Sequence, residues 1–184
     1  MPHRNPWKKL DSRLVYENAW MRVREYQVVR PDGNHGIYGV VEVSPSVGIV
    51  ALNEHEEIVL VGQWRYPNER YSWEIPRGGS KSHDKDPLEA AARELREETG
   101  LVARHWRALG AVDVCNGLTN DVQHLFLATG LSHEVPAHDP EENLSIRWVP
   151  YRQACEMALG GEITEVCSIA AILKIRLLCD GEGC

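Results

Sequence analysis

The chain has 184 residues, of which 43% are hydrophobic, and a formal net charge of −7 at pH 7. This length suffices for one sizeable core, so we expect one main domain with a small appended sheet. The acidic balance argues against nucleic acid as a partner, because a sequence-independent grip on its phosphates needs clustered Lys and Arg. No segment approaches the ~20 apolar residues of a membrane span, and the N-terminus leads into no apolar signal core. We therefore expect a cytoplasmic protein without a membrane partner.

The N-terminal part of the chain has the pattern of β-strands. Strand-like segments lie at Arg13–Tyr16, Met21–Arg30 and Gly36–Val43. Pro31-Asp32-Gly33-Asn34 is a strong turn signal, and it predicts an antiparallel hairpin from the last two segments. We interpret residues 1–43 as a β extension and residues 44–184 as the main domain. A protruding hairpin leaves strand edges and apolar side chains that a second copy can cover, so the extension predicts a homodimer.

Two short apolar runs follow the extension. Val47–Asn53 and Ile58–Arg65 are separated by the polar segment Glu54-His55-Glu56-Glu57. Apolar runs joined by a short polar segment are typical of a hairpin. We therefore expect a second hairpin here, as part of a mixed sheet. The next segment, Pro76-Arg77-Gly78-Gly79-Ser80, is predicted to break regular structure and to open a polar loop.

A helix is predicted from Pro87 to Thr99. Asp86 can cap it, Pro87 suits the first helical position, and Glu89 completes a capping-box-like spacing. Gly100 lies where a C-cap is expected. The predicted buried stripe, at spacings i, i+3, i+4 and i+7, consists of Leu88, Ala91, Ala92 and Leu95.

The C-terminal half predicts three more strands and two helices. The strands lie at Trp106–Val114, Gln123–Ala128 and Ser145–Val149, and the helices near Tyr151–Leu159 and Val166–Leu178. This order of elements predicts an α/β fold in which a mixed sheet is flanked by helices.

Three carboxylates share one flank of the Pro87–Thr99 helix. Glu94, Glu97 and Glu98 are spaced i, i+3 and i+4, which places them close together at 3.6 residues per turn. Like charges at this spacing repel one another, and a hard cation among them relieves the repulsion. The pair Gly78-Gly79 permits a close backbone approach, so that its carbonyls can add a ligand. The alternative is that these acids are merely solvated, although Glu near a helix C-terminus opposes the helix dipole.

The same segment resembles the signature of a known family. Gly79, five residues, Lys85, seven residues and then Arg93-Glu94-Leu95-Arg96-Glu97-Glu98-Thr99-Gly100-Leu101 is similar to the Nudix box. The upstream segments Gln63-Trp64-Arg65-Tyr66 and Trp73-Glu74-Ile75-Pro76 are similar to those of the branch that comprises ADP-ribose and nucleotide-sugar pyrophosphatases. The resemblance implies a Nudix-type α/β/α sandwich. It also implies hydrolysis of a nucleoside diphosphate derivative, with Mg²⁺ as cofactor and Mn²⁺ as the alternative.

The resemblance also implies roles for individual residues. Glu94 and Glu98 would be the principal metal ligands, Gly78 a carbonyl donor and Glu97 a further or alternating ligand. Arg93 would orient the carboxylates. A general base is expected on a loop beyond the box, where Glu141 and Glu142 are available and Glu142 is favoured, with Asp121 as a further alternative. The alternative is that Glu141 and Glu142 are ordinary loop acids. The catalytic residues we predict are Glu142, Glu97 and Arg93.

Three further residues are predicted to bind substrate. The planar fork of Arg65 matches phosphate oxygens, and Glu74 can accept hydroxyls or an amine. Trp73 can stack on a base, although aromatic residues in strands more often belong to a core or interface. For Arg65 and Glu74 the alternative is ordinary surface charge at a strand end.

The pattern departs from the family in two ways. Lys85 occupies a position where the box normally has glutamate, which leaves the number of metal ions open. Asp121 is the one acid in Leu118-Thr119-Asn120-Asp121, a loop where relatives commonly carry glutamate, and no proline follows the box before Pro136. Specificity for an adenine-linked substrate is therefore open. Two alternatives to the pyrophosphatase are a binding module that does not cleave its ligand and a house-cleaning hydrolase of nucleoside triphosphates.

Overall fold

The computed structural model describes residues 4–134 and 143–182. By internal contacts the chain divides into two compact units, Met1–Pro45 with Asp113–Asp121, and Ser46–Val112 with Val122–Cys184. Among the described residues, no helix is both long and apolar enough to cross a bilayer.

The first unit contains a three-stranded antiparallel sheet. Its strands are β1 (Lys8–Glu17), β2 (Arg22–Val29) and β3 (His35–Glu42), in the order β1-β2-β3. Gly33 in the β2–β3 turn has φ 84°, a left-handed conformation that glycine adopts without steric cost. The predicted hairpin is therefore confirmed. On the outer side of β3, Val41 N donates to Leu118 O at 2.9 Å, so the segment Asp113–Asp121 covers part of that edge.

The second unit contains two further sheets and three helices. Its elements are β4 (Ser46–Ala51), β5 (Glu57–Arg65), β6 (Arg70–Glu74), β7 (Arg77–Gly79), α1 (Pro87–Thr99), β8 (Leu101–Asp113), β9 (Val122–His133), β10 (Ser145–Pro150), α2 (Tyr151–Gly160) and α3 (Val166–Glu182). The four-stranded sheet has the order β7-β4-β9-β8 and is mixed, because β4 is parallel to β9 and antiparallel to β7. The three-stranded sheet, β10-β5-β6, is antiparallel. Helices α1 and α3 both pack against β4, which confirms the predicted mixed sheet flanked by helices.

Two expectations about the strands are wrong. The runs that became β4 and β5 do not form a hairpin: they enter different sheets and share a single bridge, Leu52–Ile58. β4 instead pairs with β9, which is more than 70 residues later in sequence (Ser46 opposite Gln123). Residues Arg77–Gly79, predicted to be part of a loop, form the strand β7 on the other edge of β4. Both outcomes depend on long-range pairing that short-range periodicity does not encode.

Helix α1 has the predicted bounds but a different buried face. Asp86 Oδ1 accepts a hydrogen bond from Glu89 N at 2.9 Å, and Gly100 ends the helix with φ 70°. Ala90, Ala91 and Leu95 are fully buried and join the core against Val47, Ile49 and Ala51 of β4. Leu88 is 40% exposed and Ala92 is exposed, so the predicted stripe was wrong at these two positions. Relative to the predicted stripe, the helix is rotated about its axis, so that its packed side includes Glu94 and Glu98.

Candidate active site

Strand β7 lies close against helix α1 at Gly78. Gly78 lies opposite Val47 in the β4–β7 ladder, and a Cβ atom built on it would overlap the carboxylate of Glu94. A Cβ atom on the neighbouring Gly79 would meet nothing within 4 Å. The missing side chain at Gly78 therefore lets the backbone of β7 lie directly against Glu94.

Arg93 connects the acidic groups around this contact. Its Nη1 donates to Glu94 Oε1 at 2.7 Å and to Glu97 Oε2 at 2.8 Å. Its Nη2 donates to Gly79 O at 3.0 Å. The same guanidinium donates to Asp84, with Nε to Oδ1 at 3.1 Å and Nη2 to Oδ2 at 2.9 Å. One buried cation thus holds three carboxylates and the end of β7.

Glu98 and Glu97 have further partners. Glu98 is 5% exposed, and its Oε2 accepts a hydrogen bond from Arg77 N at 2.9 Å. Glu97 forms an ion pair with Lys81, with Nζ 3.1 Å from Oε2. The structure therefore brings Glu94, Glu97, Glu98, Gly78 and Arg93 together, as the sequence predicted. We call Glu94, Glu97 and Glu98 the carboxylate cluster.

Burial shapes the charges of this cluster. It raises the pKa of Glu94, and the hydrogen bond from Arg93 opposes this effect without cancelling it. Burial alone would lower the pKa of Arg93, but hydrogen bonds to Asp84 and Glu94 outweigh it and raise that pKa, so the guanidinium stays charged. A buried carboxylate with a raised pKa gains stability as an anion when a cation binds beside it.

The donor chemistry of the cluster suits a hard divalent cation. Carboxylate and backbone carbonyl oxygens are the ligands that Mg²⁺ and Mn²⁺ prefer. Within the described residues, no group of three acidic, His or Cys side chains is arranged to hold a metal ion, and Glu94 and Glu97 each form an ion pair with Arg93. A cation here would share these two carboxylates with Arg93.

Arg65 and Glu74 face each other across β5 and β6. Arg65 Nε lies 2.9 Å from Glu74 Oε1, and Arg65 Nη2 lies 2.5 Å from Glu74 Oε2. Glu74 is 2% exposed; burial would raise its pKa, but the pairing with Arg65 outweighs this and lowers it. The pair lines a cavity of about 280 Å³ together with Arg70, Arg77 and Thr164.

Arg77 joins this cavity to the carboxylate cluster. Its backbone N–H binds Glu98, while its Nη1 lies 3.2 Å from Glu165 Oε1 and 3.7 Å from Glu74 Oε2. Arg77, Asp84 and Lys81 were missed in the sequence. Only their positions in the sequence could have identified them, since Arg77 immediately precedes Gly78 and the other two lie inside the box.

Trp73 is not among the residues that line this cavity. Trp73 alternates with Ser72 and Glu74 along β6, and neighbouring residues of a strand point to opposite faces. Its ring lies under the guanidinium of Arg147, with Cζ 4.1 Å from the ring centroid. Glu142 lies outside the described residues, as does Glu141.

A larger cavity of about 490 Å³ lies at the opposite end of β4 from Gly78. It is lined by residues that include Leu52, Leu101, Thr129 and Trp148. The residues of the carboxylate cluster do not line it, so its size does not make it the candidate for the chemistry.

Comparison with known proteins finds matches along nearly the whole chain. Residues 43–166 match the NUDIX domain, and residues 7–41 match the nucleoside diphosphate sugar hydrolase N-terminal domain. The chain is 33% identical to an ADP-ribose pyrophosphatase of Mycobacterium tuberculosis, over 95% of this chain and 86% of the relative. It is 29% identical to an ADP-ribose pyrophosphatase of Bacillus subtilis, over 92% of both chains.

A solved structure shows the same fold. The crystal structure of an ADP compounds hydrolase matches with a TM-score of 0.84 and 19% identity, covering 100% of this chain and 99% of that one. This match confirms the predicted α/β fold. With a domain match over 124 residues and a relative 33% identical along nearly the whole chain, the chain belongs to the Nudix family.

Proposed function

We propose that the protein hydrolyses the diphosphate linkage of ADP-ribose or a related nucleotide sugar, releasing a nucleoside monophosphate and a sugar phosphate. The observation that carries the proposal is similarity along nearly the whole chain to two proteins named ADP-ribose pyrophosphatase. The carboxylate cluster at Gly78 supports it, because a diphosphate needs cationic neutralisation before a nucleophile can approach.

Mg²⁺ is the cation we assign to this site, with Mn²⁺ as the alternative. Glu94, Glu98 and the Gly78 carbonyl would hold it, and Glu97 would be a further or alternating ligand. When bound, the cation would neutralise phosphate oxygens and lower the pKa of an attacking water. Arg93 orients Glu94 and Glu97 through the hydrogen bonds described above.

Arg65 and Glu74 would bind the substrate beside this site. Arg65 uses Nε and Nη2 for Glu74, and a guanidinium has five N–H donors, so its fork offers others to a phosphate oxygen. Glu74, held as a carboxylate by Arg65, would accept hydrogen bonds from hydroxyls of a sugar.

Trp73 stays the predicted stacking surface for a base. Stacking would have to use the ring face that is turned away from Arg147. Glu142 stays the predicted general base.

The competing readings have weaker support. Lys85, the departure that motivated a non-catalytic binding module, is 85% exposed and pairs with Glu89 at 3.7 Å, so it points away from the carboxylate cluster. A house-cleaning triphosphate hydrolase would not explain the match of residues 7–41 to a nucleoside diphosphate sugar hydrolase N-terminal domain.

We also propose that the extension, residues 1–43, mediates a homodimer. All ten residues of β1 are exposed, and β1 is an edge strand of its sheet. Exposed apolar side chains on this unit include Leu10, Leu14, Trp20 and Ile37. An open edge with apolar side chains favours pairing with a second copy.

The test is an assay of the purified protein with Mg²⁺ against ADP-ribose, ADP-glucose, GDP-mannose and UDP-glucose, with product identification. Glu98→Gln should lower kcat by about 100-fold or more, because it removes a carboxylate from the cation site. Glu54→Gln is the matched control, since Glu54 is 88% exposed and lies outside the cluster. Absence of turnover on all four substrates, with the protein folded, would refute the proposal.

A further inference from the structure

Asp84 is a buried carboxylate in the loop between β7 and α1. Its side chain is 2% exposed, and both of its oxygens accept hydrogen bonds from Arg93, at 3.1 and 2.9 Å. Oδ2 also accepts from Lys81 N at 2.7 Å, while Asp84 N donates to Lys81 O at 3.0 Å. A tight turn thus presents Asp84 to one edge of the guanidinium in a two-point geometry, which fixes the orientation of Arg93.

Lys85, the next residue, has the opposite environment. It occupies the box position at which glutamate is usual, yet its side chain is 85% exposed. Its backbone N–H donates to Glu89 Oε2 at 2.6 Å, which ties it to the first turn of α1. The acidic group that meets Arg93 in this loop therefore comes from one position earlier in the chain.

The two edges of Arg93 have different tasks. The edge formed by Nε and Nη2 is held by Asp84, whereas Nη1 reaches Glu94 and Glu97. Without the charge of Asp84, Arg93 would lose the carboxylate that compensates its charge at Nε and Nη2. An arginine whose charge is uncompensated repels a divalent cation and competes with it for the same carboxylates.

We propose that Asp84 is a positioning residue of the active site, which sets the cation affinity of Glu94 and Glu97 through Arg93. Its effect on hydrolysis rests on the proposed function, whereas its effect on cation binding rests only on the assignment of the cation site. A failure of the proposed function would therefore leave the cation-binding test intact.

The experiment compares wild type, Asp84→Asn and the control Lys85→Ala. Mn²⁺ binding is titrated by the electron paramagnetic resonance of the free ion, and kcat and KM are measured on the best substrate of the panel. Asp84→Asn should weaken Mn²⁺ binding and lower kcat by about 10- to 100-fold each, with KM within about 3-fold, as is usual for residues behind a metal ligand. Lys85→Ala should keep both values within about 2-fold of wild type.

Two further measurements separate positioning from mere stabilisation. The Arg93 Nε–H signal in a ¹⁵N spectrum should be protected from exchange in wild type and lose this protection in Asp84→Asn. Thermal unfolding without metal shows whether Asp84→Asn is folded. If it is not, Asp84→Glu is titrated instead. This variant keeps the charge but shifts it by one methylene, and it should also bind Mn²⁺ more weakly than wild type. A folded variant with wild-type Mn²⁺ affinity and kcat would overturn the proposal, as would a variant that has lost only thermal stability.

Discussion

Glu94 is subject to two opposing effects, and both follow from its position on the packed side of α1. Burial raises its pKa, while the hydrogen bond from Arg93 lowers it. Glu98 is still more buried but accepts a backbone N–H from Arg77. Acids of this kind cost stability unless they are paired. Their pairing with Arg93 and with the end of β7 explains how the fold tolerates them before a cation binds.

At the same scale, Asp84 gives a pH dependence. The hydrogen bonds from Arg93 lower the pKa of Asp84 from its ordinary 3.8 to about 2. A carboxylate with a depressed pKa in the folded state stabilises that state above the unfolded pKa, and this stabilisation is lost as pH falls through the folded pKa. The free energy of unfolding of wild type minus that of Asp84→Asn should therefore be constant above about pH 5 and shrink as pH falls toward about 2. Urea unfolding at a series of pH values measures this difference, and a difference that does not change with pH would contradict the assignment.

At the scale of elements, the contact of β7 with α1 decides whether the site exists. β7 has three residues and is held on β4 by the pairs Ser46–Gly79, Val47–Gly78 and Gly48–Arg77. Helix α1 is anchored independently by its cap at Asp86 and by Ala90, Ala91 and Leu95 in the core. Two separately anchored elements leave little freedom at their contact, so the absence of a side chain at Gly78 is a geometric requirement.

Gly78→Ala tests this requirement. The new methyl group would overlap the Glu94 carboxylate and displace it, so kcat should fall about 10-fold more than in Gly79→Ala, for which the structure shows open space. Both glycines have ordinary negative-φ or extended backbones, so backbone strain does not separate the two variants. Steady-state kinetics with ADP-ribose and Mg²⁺ provide the measurement. Equal activity of the two variants would show that the approach of β7 to Glu94 is not needed.

At the scale of the whole molecule, the exposed edge strand of the N-terminal unit predicts that the protein forms a homodimer. A three-stranded sheet exposed along a complete edge strand buries little apolar surface by itself. A second copy on β1 would bury Leu10 and Leu14 and satisfy the free strand edge.

Light scattering of the purified protein should therefore give twice the mass of one chain. Leu14→Asp should shift the protein toward the monomer, because a charge would enter the apolar contact. Leu159→Asp is the matched control, since Leu159 is 74% exposed on α2, outside the extension. Wild-type protein with the mass of one chain, or equal behaviour of the two variants, would count against the dimer.

The sequence by itself determined those features whose signals are local. The bounds of α1 followed from its cap residues, the β2–β3 turn from Pro31–Asn34, and the cluster of Glu94, Glu97 and Glu98 from the spacing of residues on one helix. The similarity to the Nudix box identified the chemistry for the same reason, since its positions lie within one short segment.

Only the tertiary structure decided which distant residues meet. The pairing of β4 with β9, the strand β7 and the rotation of α1 that buries Ala90 rather than Leu88 all depend on contacts between segments far apart in the chain. The partners of Arg93 depend on them too. The i,i+4 spacing of Arg93 and Glu97 is visible in the sequence, but Asp84 and the Gly79 carbonyl contact Arg93 only because a loop folds back onto the helix. Periodicity records which way a side chain points along its own element, whereas the partner it finds there is set by the packing of the elements against one another.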